Sequence, residues 1–236
     1  MNRVLEIDPE RRRARVEPGV TAAQLDAAAR VHGLELGPDP STANRATLAG
    51  MLGNNAWGPH APADGTTRDC VIALRAVLAE GAVHVLDGDP PAGDDDRARR
   101  AALAQLIADH AGLLRERVPA AADGLCSNTG YPLHALLAAG EPLNEAVLFA
   151  GAEGTLGLVT EITLRLRPLR RDRRLLCPHF DDLRSALRAV RPALDAGACA
   201  VELLDERILD LTRDHPAQAG NRFWIEGTPR AVLIVE

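Results

Sequence analysis

GAEGTLGLVTEITLRL, residues 151–166, is the stretch on which the fold reading turns. Its second half alternates. Leu158, Thr160, Ile162, Leu164 and Leu166 share one face, and Val159, Glu161, Thr163, Arg165 and Arg167 share the other, the period of a half-buried strand. Its first half places Gly151, Gly154 and Gly157 in a run that enters this strand. A P-loop or a dinucleotide fingerprint would open a helix, and no Gly-Lys-Ser/Thr follows here. Read alone, the run is either a tight turn or a backbone cradle for a ligand.

A second glycine-rich stretch lies upstream. GPDPSTANRATLAGMLGNNAWG, residues 37–58, offers hydroxyls (Ser41, Thr42, Thr47), amides (Asn44, Asn54, Asn55) and glycines that expose backbone N–H groups. Such groups make concave anion sites, and glycine lets a backbone approach a flat ring closely. The alternative is a structural loop. Residues 34–69 as a whole read as a long irregular segment, which inside a domain is often functional.

The rest of the chain supplies a scaffold. Two short strands are expected at 3–7 and 14–18, with a turn at 8–13 between them. A helix then opens at Thr21 with a Gln24 capping box, turns Leu25, Ala28 and Ala29 inward and stops at Gly33. Residues 70–79 read as a strand apolar on both faces, Glu80-Gly81 as a turn, and 83–86 as a returning strand. A helix over 97–117 carries Leu103, Leu106, Ile107, His110 and Leu114 on one face, and another short helix runs from Pro132 to about Gly140. After Pro168 the rhythm changes. A strand at 174–179, a helix with Leu183, Leu187, Val190 and Leu194 in line, a strand at 200–204, a helix at 205–213 and a strand at 231–235 follow, the start of a second domain.

Bulk properties narrow the function. The 236 residues carry a formal charge of -6, which argues against a general nucleic-acid binder. Two arginine runs, Arg11–Arg13 with Arg15 and Arg165–Arg174, read as solvated edges or as anion sites. The four cysteines (70, 126, 177, 199) form no CxxC pair, and the seven histidines form no metal motif. With no signal peptide and no apolar run of membrane length, a cytoplasmic protein is expected.

Taken together and in order, VEPGV (16–20), GLELGPDPST (33–42), TLAGMLGNNAWG (47–58) and GAEGTLGLVTEITLRL (151–166) resemble the FAD-binding domain of the vanillyl-alcohol-oxidase/p-cresol-methylhydroxylase superfamily. The branch is that of the D-lactate, glycolate and D-2-hydroxyglutarate dehydrogenases, and the resemblance covers roughly residues 3–210. It implies an α+β fold: a two-lobed flavin-binding domain over 1–170, lacking its N-terminal strands and first diphosphate loop, then an incomplete ferredoxin-like cap domain over 171–236. It also implies FAD as cofactor, with the chemistry belonging to the flavin and the protein binding and orienting it. By carry-over, Ser41 and Thr42 lie near the flavin and diphosphate. Thr47, Gly50, Asn54, Asn55 and Gly58 line the dinucleotide, and Gly154, Thr155, Gly157 and Val159 hold its other side.

The implied reaction is oxidation of a small D-2-hydroxy acid to the 2-oxo acid, with an iron–sulfur subunit or domain as a candidate electron acceptor and neither nucleic acid nor a membrane span involved. An alditol or aryl-alcohol oxidase of the same fold, and a non-catalytic remnant, are the alternatives. The family's catalytic histidines fall beyond residue 236, so no catalytic or metal-binding residue is expected in this chain, and FAD binding by this chain alone is expected to be weak or absent. Two departures stand out: Ala49 replaces a family glycine, and Trp57 occupies a position usually small. His60, beside the glycine loop, reads as a surface or loop histidine.

Overall fold

The eleven-residue strand formed by the alternating segment organises the first part of the chain. The structure, a computed structural model, describes residues 1–118, 130–133 and 144–236. Its residues divide into two compact units, Met1–Gly58 with Gly65–Leu169, and Pro59–Asp64 with Arg170–Glu236. Mixed helices and antiparallel strands make the fold α+β.

In the first unit, β1 (Val4–Asp8), β2 (Arg13–Val16), β3 (Leu34–Leu36), β4 (Val71–Val77), β5 (Val83–Leu86) and β6 (Leu158–Pro168) form one antiparallel sheet. The order is β1-β2-β6-β4-β5, and β3 also pairs with β6. The long central strand thus pairs with three others. Ile162, Leu164 and Leu166 are buried as their alternation requires, whereas Leu158 at the strand's entrance is 73% exposed. β4 departs from the reading of a strand buried on both faces. Arg75 points outward to Glu161, because the outer face of this sheet carries charge among the described residues.

Helix α1 (Ala22–Arg30) begins where the capping box places it. Thr21 Oγ1 accepts from Gln24 N, and Gln24 Oε1 accepts from Thr21 N. Ala22, Leu25 and Ala29 are its buried residues, and Gly33 follows at φ 71°.

The segment 34–69 is not irregular. Besides β3 it holds α2 (Leu48–Gly53), α3 (Ala61–Asp64) and α4 (Thr67–Cys70). Thr47 caps α2 by accepting from Gly50 N, and Leu48, Met51 and Leu52 are buried at helical spacing. The glycines on either side hide this short amphipathic signal. Val16, Val20, Leu25, Leu48, Met51, Leu52, Leu74, Leu86, Ile162 and Leu164 form the heart of the core.

Helix α5 (Asp94–Arg117) starts three residues before the expected point, with Asp94, Asp95 and Asp96 in its first turn favoured by the helix dipole. Its N-terminal third is held by charge. Arg99 and Arg100 both bond buried Glu145, and Arg100 also pairs with Asp87 at 3.0 Å. The expected apolar stripe is present, but no residue of α5 is buried among the described residues, and Leu106 is 58% exposed. The expected helix from Pro132 lies outside the described residues beyond Leu133, as does Cys126.

The second unit contains a three-stranded antiparallel sheet, β7 (His179–Phe180), β9 (Ala231–Val235) and β8 (Val201–Asp205) in that order, with helices α6 (Leu183–Asp195) and α7 (Glu206–Arg213). The expected strand at 174–179 shrinks to β7 and an isolated bridge at Leu176, since Pro178 has no N–H to continue a ladder. On α6 the buried residue is Ala186, with Ala189 and Val190 beside it, while Leu183 and Leu187 are 44% and 54% exposed. The inward stripe of α6 is therefore built of small side chains.

Ile162→Ala should cost about 2–5 kcal/mol, because a fully buried side chain at the centre of β6 is truncated; urea unfolding of the variant measures it. His84 gives a pH test. Its ring lies 2.9 Å from Asp96 and 2.6 Å from Glu80, and the Asp96 hydrogen bond raises its pKa above 6.5. That stabilisation is complete below 6.5 and is lost as pH rises through the raised value. NMR titration should show a high His84 pKa that falls back in Asp96→Asn.

Candidate cofactor site

The two glycine-rich segments, far apart in sequence, are joined by backbone hydrogen bonds. Gly151 N donates to Leu52 O at 3.0 Å, and Glu153 N donates to Gly53 O at 2.9 Å. The turn before β6 therefore sits on the C-terminal end of α2. Glu153 at φ 50° and Gly154 at φ 79° form the turn itself, and the space a Cβ would take at Gly154 is open. At Gly151 a Cβ would meet Gly130 O at 2.5 Å, and at Gly157 it would meet Val77 O at 2.6 Å. These two glycines serve close backbone packing, and Gly154 serves the turn.

The upstream segment is folded with equal economy. Gly58 lies against the 37–42 loop, where a Cβ would meet Asp39 O at 2.3 Å. Asn55 is 1% exposed at φ 50°, and its Oδ1 accepts from Arg68 N at 2.9 Å. Thr67 N donates to Ala56 O at 2.9 Å, completing the attachment to α4. Ala49 sits inside α2 with a right-handed backbone, so its methyl group causes no strain where the family pattern has glycine. Trp57 is 55% exposed, and its ring lies on the surface beside Gly58.

The carried-over residues thus separate into two sets. Ser41, Gly50, Asn54, Gly154 and Thr155 are exposed, and Thr42 and Thr47 are partly so. Asn55, Gly58, Gly157 and Val159 face inward or pack against neighbouring backbone, Val159 against the core. The first set offers the hydroxyls of Ser41 and Thr42, an amide and bare backbone on the outer side of the joint, while Thr155 Oγ1 donates to Ala152 O at 2.6 Å; the second set holds the joint together. This arrangement fits a dinucleotide lying across glycine-rich turns. Sequence reading missed Tyr131, whose hydroxyl lies 2.6 Å from Thr155 Oγ1 and fixes the turn from outside it. The Gly130-Tyr131 pair beside Gly151 was the available signal.

His60 belongs to the second unit and is not a surface residue; it is 4% exposed. Its Nε2 lies 3.3 Å from Glu236 and 3.4 Å from Arg173. Cys199 completes a cluster with metal-ligand spacing, but the Arg173 guanidinium, bonded to Glu236 at 2.7 and 2.5 Å, supplies the positive charge there. Those bonds hold the Glu236 carboxyl down at about 2. Cys70, Cys177 and Cys199 form no disulfide among the described residues. No described helix is long and apolar enough to cross a membrane.

Residues 1–87 match an FAD binding domain family. The cofactor is FAD. The chain is 35% identical over 223 residues to a D-2-hydroxyglutarate dehydrogenase of Pantoea ananatis, covering 91% of this chain and 22% of that protein. It is 30% identical over 235 residues to a D-lactate dehydrogenase of Archaeoglobus fulgidus (98% and 42%) and 29% identical over 238 residues to a glycolate oxidase subunit of Bacillus subtilis (100% and 40%). Among solved structures, an alkyldihydroxyacetonephosphate synthase superposes with a TM-score of 0.65 at 18% identity, over 100% of this chain and 36% of that one, a likeness of fold. The chain spans between 22% and 42% of the length of these curated relatives.

Gly58→Ala should lower stability by about 1–3 kcal/mol, since backbone oxygen, not a flexible side chain, blocks the new methyl. Gly50→Ala, exposed in α2 with only Thr47 Oγ1 at 3.0 Å, should leave the urea midpoint nearly unchanged. Equal losses in the two variants would show that the contacts of Gly58 are not the controlling ones.

Proposed function

We propose that this chain is the flavin-facing part of an FAD-dependent oxidoreductase that oxidises a D-2-hydroxy acid of the D-lactate, glycolate or D-2-hydroxyglutarate class to the 2-oxo acid. The observation that carries the reading is the hydrogen-bonded joint between α2 and the Gly151–Thr155 turn, with polar groups and bare backbone on its outer side. The names of the relatives support the substrate class. The second unit belongs to the cap domain in this reading, and an iron–sulfur protein or domain is the proposed electron acceptor.

Ser41, Thr42, Thr47, Gly50 and Asn54 would hold one side of the dinucleotide, and Gly154 and Thr155 the other. Asn55, Gly58, Gly157 and Val159 keep these groups in place through contacts within the protein. When bound, FAD supplies the electron-pair acceptor for the hydride leaving C2 of the hydroxy acid. The chain's part is to bind, to orient and to shield. No side chain of this chain is assigned the removal of the hydroxyl proton.

Trp57 reports on the site directly, because it is exposed at the edge of the glycine loop. Titrating FAD into the protein should quench Trp57 emission, with Trp57→Phe losing the quenched component and Trp224 contributing a constant background. Binding is expected to be weak enough for gel filtration to strip the flavin. Quenching that is unchanged in Trp57→Phe would place the flavin elsewhere. Substrate class is tested separately by dye reduction in FAD-saturated protein with D- and L-2-hydroxy acids. This chain alone should show little turnover, since no side chain in it removes the hydroxyl proton; in the whole protein that carries it, turnover of one D-acid with little oxygen uptake is the expected result, and oxygen consumption with alditols or aryl alcohols would replace this reading by an oxidase.

A further inference from the structure

The outer face of the first unit's sheet carries a ladder of opposite charges that ends abruptly. Arg15 on β2 is held between Glu6 on β1 at 3.3 Å and Glu161 on β6 at 2.9 Å, and Arg75 on β4 reaches Glu161 from the other side at 3.4 Å. One step along the same face the pattern reverses. Arg13 on β2 stands directly opposite Arg165 on β6, a like-charge cross-strand pair. Such pairs are destabilising when nothing lies between them. Neither arginine has an ion-pair partner among the described residues.

These two residues line a cavity of about 530 Å³, within the range of roughly 300–1,000 Å³ typical of small-molecule sites. Arg11 and Arg12 from the β1–β2 turn also line it, and Asp89 is its one acidic residue. Arg12 has φ 52°, and its carbonyl accepts from Leu166 N at 2.7 Å, so the turn is fastened to β6. Arg11 is loosely paired with Asp8 at 3.7 Å. The neighbouring carboxylate, Asp87, is taken by Arg100. Four guanidinium groups against one carboxylate leave a formal charge of +3 in one concavity of a chain whose net charge is -6. Val71, Ile72 and Leu166 add apolar surface.

We propose that this cavity binds a compact, phosphate-bearing small molecule of high negative charge, at a site separate from the flavin joint. Planar guanidinium groups take phosphate oxygens two at a time, and several around one cavity suit a polyphosphate better than a single carboxylate. The separation follows from the strand. Arg165 lies eight residues beyond Gly157 along β6, about 26 Å at ~3.3 Å per residue. The limited volume of the concavity and the negative charge of the chain as a whole favour a compact ligand over a nucleic-acid strand.

Calorimetric titration with inorganic tripolyphosphate at fixed ionic strength tests the site. One equivalent should bind, and Arg13→Gln and Arg165→Gln should each weaken binding at least ten-fold, with Arg115→Gln on α5 as an unaffected control. Thermal melting gives a second readout of opposite sign. Without ligand, Arg165→Gln should melt higher than the parent, since a repulsive pair is removed, and tripolyphosphate should no longer raise its melting temperature. Absence of binding to the parent would overturn the proposal. So would binding that persists in the double variant, which would place the anion at the flavin joint, and citrate binding as tightly as tripolyphosphate, which would remove the phosphate class.

Discussion

Two backbone hydrogen bonds between α2 and the turn before β6 hold the two glycine-rich segments of the first unit together. Both donors belong to the downstream glycine segment, and both acceptors are carbonyls at the C-terminal end of a six-residue helix. A helix that short has few internal bonds of its own, so its carbonyls are free to accept from elsewhere. Neither segment could hold its shape alone. The upstream one is too short to nucleate, and the downstream one passes through two positive-φ residues in succession, Glu153 and Gly154. Each segment supplies what the other lacks, and the rigid core beneath them, Leu48, Met51 and Leu52 against β6, fixes where they meet.

A division of labour among the glycines follows from this joint. Gly58, Gly151 and Gly157 are held by backbone oxygens too close for any side chain, whereas Gly50 and Gly154 face outward. A glycine motif thus mixes positions that build the protein with positions left open at its surface. The same separation runs through the asparagines: Asn54 is exposed, and Asn55 is spent on Arg68 N.

Much of this was legible in the sequence. The alternation of 158–166 yields β6, the Thr21–Gln24 box yields α1, and the ordered motifs lead to FAD. What stayed hidden had physical reasons. The helix at 48–53 was masked by its flanking glycines, although Thr47 and the Leu48/Met51/Leu52 spacing mark it in retrospect. The apolar run Leu175, Leu176 and Cys177 suggests a full strand before His179, but Pro178 interrupts the ladder. On α6 the leucine spacing marks one face, but the residues packed into the second core are Ala186, Ala189 and Val190. His60 looked exposed because it follows a Gly-Pro loop, and only tertiary contacts bury it. Composition cannot show which of two cross-strand arginines faces which acid, since register is a property of pairing.

The sheet's outermost strand on one side, β5, is four residues long, with Val83 and Val85 just over half exposed. An apolar edge of this kind invites another chain to add itself by backbone pairing. Its brevity is the protection. A strand that begins just after the tight turn at Gly81 and ends at Leu86, before the Pro- and Asp-rich loop, offers too few free donors and acceptors to template a growing stack. Lengthening β5 by removing that punctuation would therefore turn a quiet margin of the fold into a seed for association between molecules.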